Sequence, residues 1–207
     1  MGLYRKFLSN TRKPQGFLGK LMIGMMNSGH AKMADWGMDQ FPDMESRQMI
    51  ELGCGGGRNA GELLRRFPQA QITAVDYSPL SVEKAKEYNE KQIMSGRCTV
   101  QEENVAALSY SDERFDLATA FETVYFWPGL DRCFREVHRI LKPGGYFCIV
   151  NESDGEDAAS LQYENIIDGM KVYTVSQLTD ALRSAGFKEV SRIYHKKKPW
   201  IAVIAKK

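Results

Sequence analysis

The sequence predicts a doubly wound α/β fold: a seven-stranded, mostly parallel sheet with helices on both faces. Three observations carry that prediction. From about residue 48 onward, strand-like runs alternate with helix-spaced ones, the signature of parallel strands joined by crossover helices. The first strand ends in a glycine-dense turn, Glu51-Leu52-Gly53-Cys54-Gly55-Gly56-Gly57, and helical spacing follows at once. The last two strand runs, Val190 to His195 and Trp200 to Ala205, are joined by a segment too short for a parallel crossover, so they form an antiparallel hairpin.

In chain order, the first strand enters through Arg47-Gln48-Met49-Ile50, and Ala60, Leu63, Leu64 and Phe67 put one apolar face on the helix after the turn. Gln71 to Asp76 is the second strand. A helix from Ser81 to Met94 follows the Ser78-Pro79 boundary. Cys98 to Gln101 is a short third strand, and Phe115 to Phe121 is apolar enough for a buried central one. Leu130, Phe134, Val137 and Leu141 stripe a helix that stops at Lys142-Pro143-Gly144-Gly145, because proline cannot continue it and glycine permits the reversal. Tyr146 to Val150 is the fifth strand. The acidic stretch Glu152 to Asp157 reads as loop, and a helix from Ser176 to Ala185 precedes the final hairpin.

The glycine turn is the candidate binding element. Four glycines in five positions let the chain reverse with positive φ and let a ligand touch bare backbone. Two ligands fit. Gly55-Gly56-Gly57-Arg58-Asn59-Ala60 matches the dinucleotide pattern G-x-G-x-x-A, with Asp76 at the right distance for a ribose diol. Glu51 instead suits a ligand carrying an ammonium and a sulfonium, because a carboxylate below the turn would repel a pyrophosphate.

Composition narrows the partners. The chain has 207 residues, 43% hydrophobic and 26% charged, enough for one domain with a small appendage. A net charge of +2 gives no basic field for a nucleic acid, and Lys196-Lys197-Lys198 reads as a solvated hairpin tip. Cys54, Cys98, Cys133 and Cys148 form no C-x-x-C pair and no metal-ligand spacing with histidine, so they are expected as free thiols in a reducing cytoplasm, with no metal site. The apolar run Phe17 to Met26, preceded by Arg12 and Lys13, is interrupted by Lys20 and too short to span a bilayer; a Met-rich amphipathic helix is expected, with no membrane partner.

Glu51 to Gly57 resembles motif I, E/D-x-G-x-G-x-G, of the class I S-adenosylmethionine-dependent methyltransferases. The resemblance continues through Val75-Asp76-Tyr77-Ser78 and Leu141-Lys142-Pro143-Gly144-Gly145, over roughly residues 48 to 207. It implies a Rossmann-like sheet of order 3-2-1-4-5-7-6 and S-adenosyl-L-methionine as methyl donor, leaving S-adenosyl-L-homocysteine. In that frame Glu51, Gly53, Cys54, Gly55 and Gly57 hold the methionine part of the donor. Asp76 accepts the ribose hydroxyls, Tyr77 covers the adenine, and Phe121 closes the methyl end. Counting back from Phe115-Asp116 places the adenine contact on Asn104 with Val105 beside the ring. Aspartate is usual there, and a register shift of one would give the role to Glu103.

Phe121 to Trp127 follows the fourth strand and faces the transferable methyl in this family. Glu122 and Tyr125 are the candidates to reach an acceptor, whereas Phe126 and Trp127 are expected in the core. Residues 1–45 are expected to form a helical lid that selects the acceptor, ahead of a methyltransferase domain at 46–207. In the lid, His30 is a further catalytic candidate and Trp36 a substrate contact, with Tyr125 shared between catalysis and substrate binding. The function implied is in-line methyl transfer to a small molecule by a monomer or homodimer. The alternatives are a nicotinamide-dependent oxidoreductase using the same turn, and a non-catalytic protein that binds S-adenosylmethionine.

Overall fold

The computed structural model describes residues 11, 12 and 14–207. Two helices, α1 (Gly16–Gly29) and α2 (Ala31–Met38), precede β1 (Gln48–Leu52), α3 (Arg58–Arg66) and β2 (Gln71–Asp76). Next come α4 (Pro79–Tyr88), α5 (Glu90–Met94), β3 (Cys98–Glu102), β4 (Phe115–Phe121), α6 (Leu130–Ile140) and β5 (Leu141–Asn151). The chain ends with α7 (Ala158–Leu161), α8 (Val175–Ser184), β6 (Glu189–Tyr194) and β7 (Ile201–Lys206). The strands form one sheet of order β3-β2-β1-β4-β5-β7-β6, in which β7 runs antiparallel to both neighbours and every other pairing is parallel. Strand order reverses between β1 and β4, which opens a crevice at their carboxyl ends.

The inner strands of the sheet are buried on both faces, whereas the edge strands β3 and β6 are largely exposed. Ile50 and Leu52 of β1, Phe147 and Ile149 of β5, and Ile201 and Val203 of β7 pack with α6 and α8. Met49, Cys148, Val150 and Ala202 face the other way, toward α2, α3 and α4. This alternation is the period of two that a strand imposes. Phe115 and Leu117 break it by facing opposite cores, because the register jumps there: Phe115 pairs with Leu141 but Leu117 with Tyr146. Residues 142–145, expected as the turn that stops the helix, are the segment that loops out of this ladder.

One helix departs from the sequence expectation and becomes two. The run Ser81 to Met94 starts earlier, at Pro79, and is split at Asn89. Asn89 is fully buried and its Nδ2 donates to Gly57 O at 2.8 Å and Ala85 O at 3.1 Å, tying α4 to the glycine turn at the cost of helical continuity.

The N-terminal segment divides in two. Met33 and Ala34 of α2 are fully buried, and a Cβ at Gly37 would run into Val150, so α2 is a core helix against β5. Of the two helices, α1 is the one that lies over the crevice, joined there by Thr11, Arg12 and Pro14. Its expected apolar stripe splits, with Met22 buried beside Gly19 and Ile23 while Phe17, Leu18, Leu21 and Met25 face outward. Residues 1–10 and 13 of the expected lid lie outside the described residues. All four cysteines are buried free thiols, and among the described residues no helix is long and apolar enough to cross a membrane.

Candidate active site

A cavity of about 610 Å³ occupies the crevice at the carboxyl ends of β1, β2, β4 and β5, a size suited to small-molecule ligands. Its first wall is the turn between β1 and α3. The N–H groups of Gly53 and Cys54 donate to Val75 O at 2.8 and 2.9 Å, which fixes the turn on β2. Gly53, Gly55 and Gly57 hold φ of +82°, +51° and +78°, a region only glycine enters freely. A Cβ at Gly53 would strike the Thr123 hydroxyl, so the turn touches the loop after β4. At Gly55 a Cβ would meet nothing within 4 Å, leaving bare backbone open to the cavity.

Asp76 ends β2 beneath that turn. Its Oδ2 accepts from the Gly55 N–H and its Oδ1 from the Ser78 N–H, both at 2.9 Å. The carboxyl is pushed up by burial, which outweighs the lowering by the Ser78, Gly55 and Tyr77 N–H groups. Glu51 lies deeper, 1% exposed, accepting from the Ala60 N–H while its Oε2 is buried with no partner. Burial and then the Asp76 charge push its carboxyl well above the ordinary range.

The opposite wall is a cluster of His30, Glu122 and Glu152, with ligand atoms all within 4.8 Å of one another. Glu122 follows β4 with φ of +55°, an uncommon conformation for a side chain of its size. Its Oε1 accepts from the Tyr125 hydroxyl at 3.0 Å and from the Glu152 N–H. Burial pushes the Glu122 carboxyl up to about 7, opposed by nearby His30. Tyr125 is 4% exposed and its phenol is pushed well above its ordinary value by burial and the Glu122 charge, so it stays protonated. His30 joins α1 to α2 and puts Nδ1 3.3 Å from Glu152 Oε2. Burial alone would lower its pKa, but the hydrogen bond to Glu152 and the Glu122 charge outweigh it and raise it.

Most residues expected at the site converge here. Gly53, Cys54, Gly55, Asp76 and Tyr77 line one side of the cavity, with Asn104 and Val105 beyond them. Phe121, Glu122, Tyr125 and His30 line the other. Three residues do not reach the wall. Gly57 packs against α4, where a Cβ would come within 2.8 Å of Ala85 Cα, and Glu51 sits under the turn. Trp36 lies on the far side of α2, its ring 5.4 Å from His195 and 6.1 Å from Trp200, which corrects its expected contact with substrate. Asn104 Oδ1 accepts from the Ala106 N–H at 2.9 Å, and Glu103 is held by Ser109. Phe126 and Trp127, expected purely as core, also line the cavity; Trp127 does both, stacked 6.1 Å from Phe147.

Sequence reasoning did not single out Asn27, Glu152 and Tyr163, which also line the cavity. Asn27 Nδ2 donates to Gly56 O at 3.3 Å, fastening α1 to the glycine turn. Glu152 carried a usable signal: it follows β5 as Glu122 follows β4, and adjacent parallel strands end at the same level.

The family described as methyltransferase domain matches residues 50–149. That stretch is just under half of the chain, and with the sheet order it likens the chain to the class I S-adenosylmethionine-dependent methyltransferases. That likeness favours the methyltransferase reading of the glycine turn over the dehydrogenase one. Among curated relatives, sterol 24-C-methyltransferase erg6 of Aspergillus fumigatus is 26% identical over 152 residues, covering 69% of this chain and 40% of the relative. Methyltransferase phqN of Penicillium fellutanum is also 26% identical over 152 residues, covering 69% and 46%. The chain thus aligns with less than half the length of these relatives. Among solved structures, an O-methyltransferase family protein from Burkholderia thailandensis superposes with a TM-score of 0.81 at 17% identity, covering 98% of this chain and 61% of that one. Geranyl diphosphate C-methyltransferase from Streptomyces coelicolor, solved with Mg2+, geranyl-S-thiolodiphosphate and S-adenosyl-L-homocysteine, gives 0.74 at 13% identity, covering 85% and 75%.

Proposed function

We propose that the protein transfers a methyl group from S-adenosylmethionine to a small-molecule acceptor bound in this cavity. Asp76 carries the reading: a carboxylate at a strand end, facing the cavity, with each oxygen oriented by one backbone N–H and a second lone pair left for a vicinal diol. The remaining residues fit the same donor. Open backbone at Gly55 leaves room for its methionine part, and the partnerless Glu51 Oε2 under the turn is an acceptor that an ammonium would complete. Tyr77 and Val105 flank the space for the adenine, and Asn104 retains a lone pair on Oδ1.

When bound, the donor supplies a methyl carbon on a sulfonium that is already a good leaving group. The chain's task is alignment and exclusion of water. Glu122, with a carboxyl near 7, is the group able to take a proton from an acceptor at neutral pH. Tyr125 remains a phenol and acts as a positioning residue, holding Glu122 through Oε1. We place the activity in the cytoplasm, consistent with four reduced thiols. Calorimetry with S-adenosylhomocysteine, followed by an acceptor screen for its release from S-adenosylmethionine, tests the proposal; a folded protein with no affinity for either compound would overturn it. Tight binding with no product from any acceptor class would support a non-catalytic sensor instead.

A further inference from the structure

The proposed methyltransferase reading leaves the acceptor open, and the wall opposite the glycine turn bears on it. Three charged side chains form that wall: His30, Glu122 and Glu152. Two carboxylates face one imidazole, so the cluster is at least one positive charge short when both carboxylates are ionised. Neighbouring cations do not supply it. Arg58 is bound to Asp35 at 2.7 Å, and Arg12 Nη1 donates to Asp168 O at 3.1 Å. Among the described residues no lysine lines the cavity. Glu122 is nevertheless held in place, with its backbone in the left-handed region and Oε1 fixed by Tyr125 and the Glu152 N–H, which leaves Oε2 for a ligand.

The rest of the wall has a matching character. The rings of Tyr125, Phe126, Trp127 and Tyr163 line the same cavity, and aromatic faces attract a desolvated cation. Met26 and Met170 add polarizable, apolar surface. An anionic acceptor would meet two like charges here, and a neutral alcohol would leave them uncompensated.

We infer that the acceptor is an amine, bound as an ammonium between Glu122 and Glu152 and enclosed by the aromatic wall. An N–H bond breaks and the proton passes to the Glu122 carboxylate, leaving the electron pair on nitrogen. That pair forms the new N–C bond to the methyl carbon as the C–S bond breaks, and the C–S electron pair stays on sulfur as a neutral thioether. His30, in contact with Glu152, links the cluster to solvent for return of the proton.

This inference rests on the methyltransferase reading, so the donor is measured first: calorimetric binding of S-adenosylhomocysteine confirms the reading whatever the acceptor result. The complex is then titrated with a matched panel of benzyl, phenylethyl, cyclohexyl and butyl skeletons, each carrying an amine, alcohol, thiol or carboxylate head. Trimethylated ammonium analogues serve as unreactive probes. The expected result is at least tenfold tighter binding of ammonium heads on a shared skeleton, binding of the trimethylated probes, and loss of that preference in Glu122→Gln and Glu152→Gln with S-adenosylhomocysteine affinity unchanged. Three outcomes overturn the inference while the donor still binds: no amine binds, alcohols or carboxylates bind as well as amines, or the wild type takes up Mn2+ or Zn2+ at micromolar concentration in a manner abolished by Glu152→Gln. The last would make the cluster a metal site.

Discussion

The Tyr125 hydroxyl donates to Glu122 Oε1 across 3.0 Å, and both side chains face the cavity. A neutral phenol thereby sets the direction of the Glu122 carboxylate, the group proposed to accept a proton. Tyr125→Phe removes only the hydroxyl. Turnover is expected to fall about tenfold, the size of one net hydrogen bond, with donor affinity unchanged. Steady-state kinetics beside calorimetry checks this; full turnover would reduce Tyr125 to packing.

Glu122 gives the fold a pH signature. Burial raises its carboxyl to about 7, against 4.5 ordinarily, with His30, Glu152 and Tyr125 as the charged and titratable groups facing it. Between those values the native state holds a proton that the unfolded chain has released, so this contribution to stability falls as pH rises from about 4.5 to about 7. Glu122→Gln cannot ionise. It is expected to match the wild type in Tm at pH 5 and exceed it at pH 8, by on the order of 2 kcal/mol. Identical pH profiles of Tm for the two proteins would refute the assignment.

Asp76→Ala is expected to weaken S-adenosylhomocysteine binding by roughly a hundredfold, the value of charge-assisted hydrogen bonds to a diol. Circular dichroism confirms the fold of the variant, and calorimetry reads the affinity. Unchanged affinity in a folded variant sinks the ribose role.

Trp36 and α2 should behave as core. Trp36→Ala is expected to lower stability by about 2 kcal/mol while leaving kcat and KM intact, since its ring meets His195 and Trp200 rather than the cavity. Removing residues before Asp43 strips buried Met33 and Ala34 from the sheet, and that protein is expected to unfold. A stable truncated domain in thermal melts would restore the whole segment as a detachable lid.

Helix α1 is the remaining candidate lid. A Cβ added at Gly24 or Gly29 would meet no other part of the chain within 4 Å, and Asn27 holds Gly56 by one 3.3 Å bond. Hydrogen exchange is expected to show weak protection of α1 that rises when S-adenosylhomocysteine binds, while α2 stays protected throughout. Equal strong protection of both helices in both states would mark α1 as fixed.

The sheet was legible because each strand states its burial in its own residues, and the hairpin because a short connection allows one direction only. Gly53, Gly55 and Asp76 were legible for a related reason: backbone geometry at a strand end restricts which residues can sit there. Trp36 misled because an indole near a glycine reads alike whether its partner is a ligand or Trp200, which is 164 positions away and invisible to local pattern. Glu152 was hidden inside an acidic loop, and only the parallel pairing of β4 with β5 brings it to Glu122. The split at Asn89 depended on a hydrogen bond to Gly57, again a contact that spacing along the chain does not encode.

Gly53 and Thr123 press together with no room for even one methyl group between them. The turn proposed for the donor and the loop proposed for the acceptor therefore form a single rigid joint, and a change made to one half is transmitted to the other. Efforts to fit the proposed acceptor site to a different ligand would do better to begin at Tyr163 and Met170, on the part of the wall contributed by the segment after β5, where the cavity can be recut without disturbing that joint.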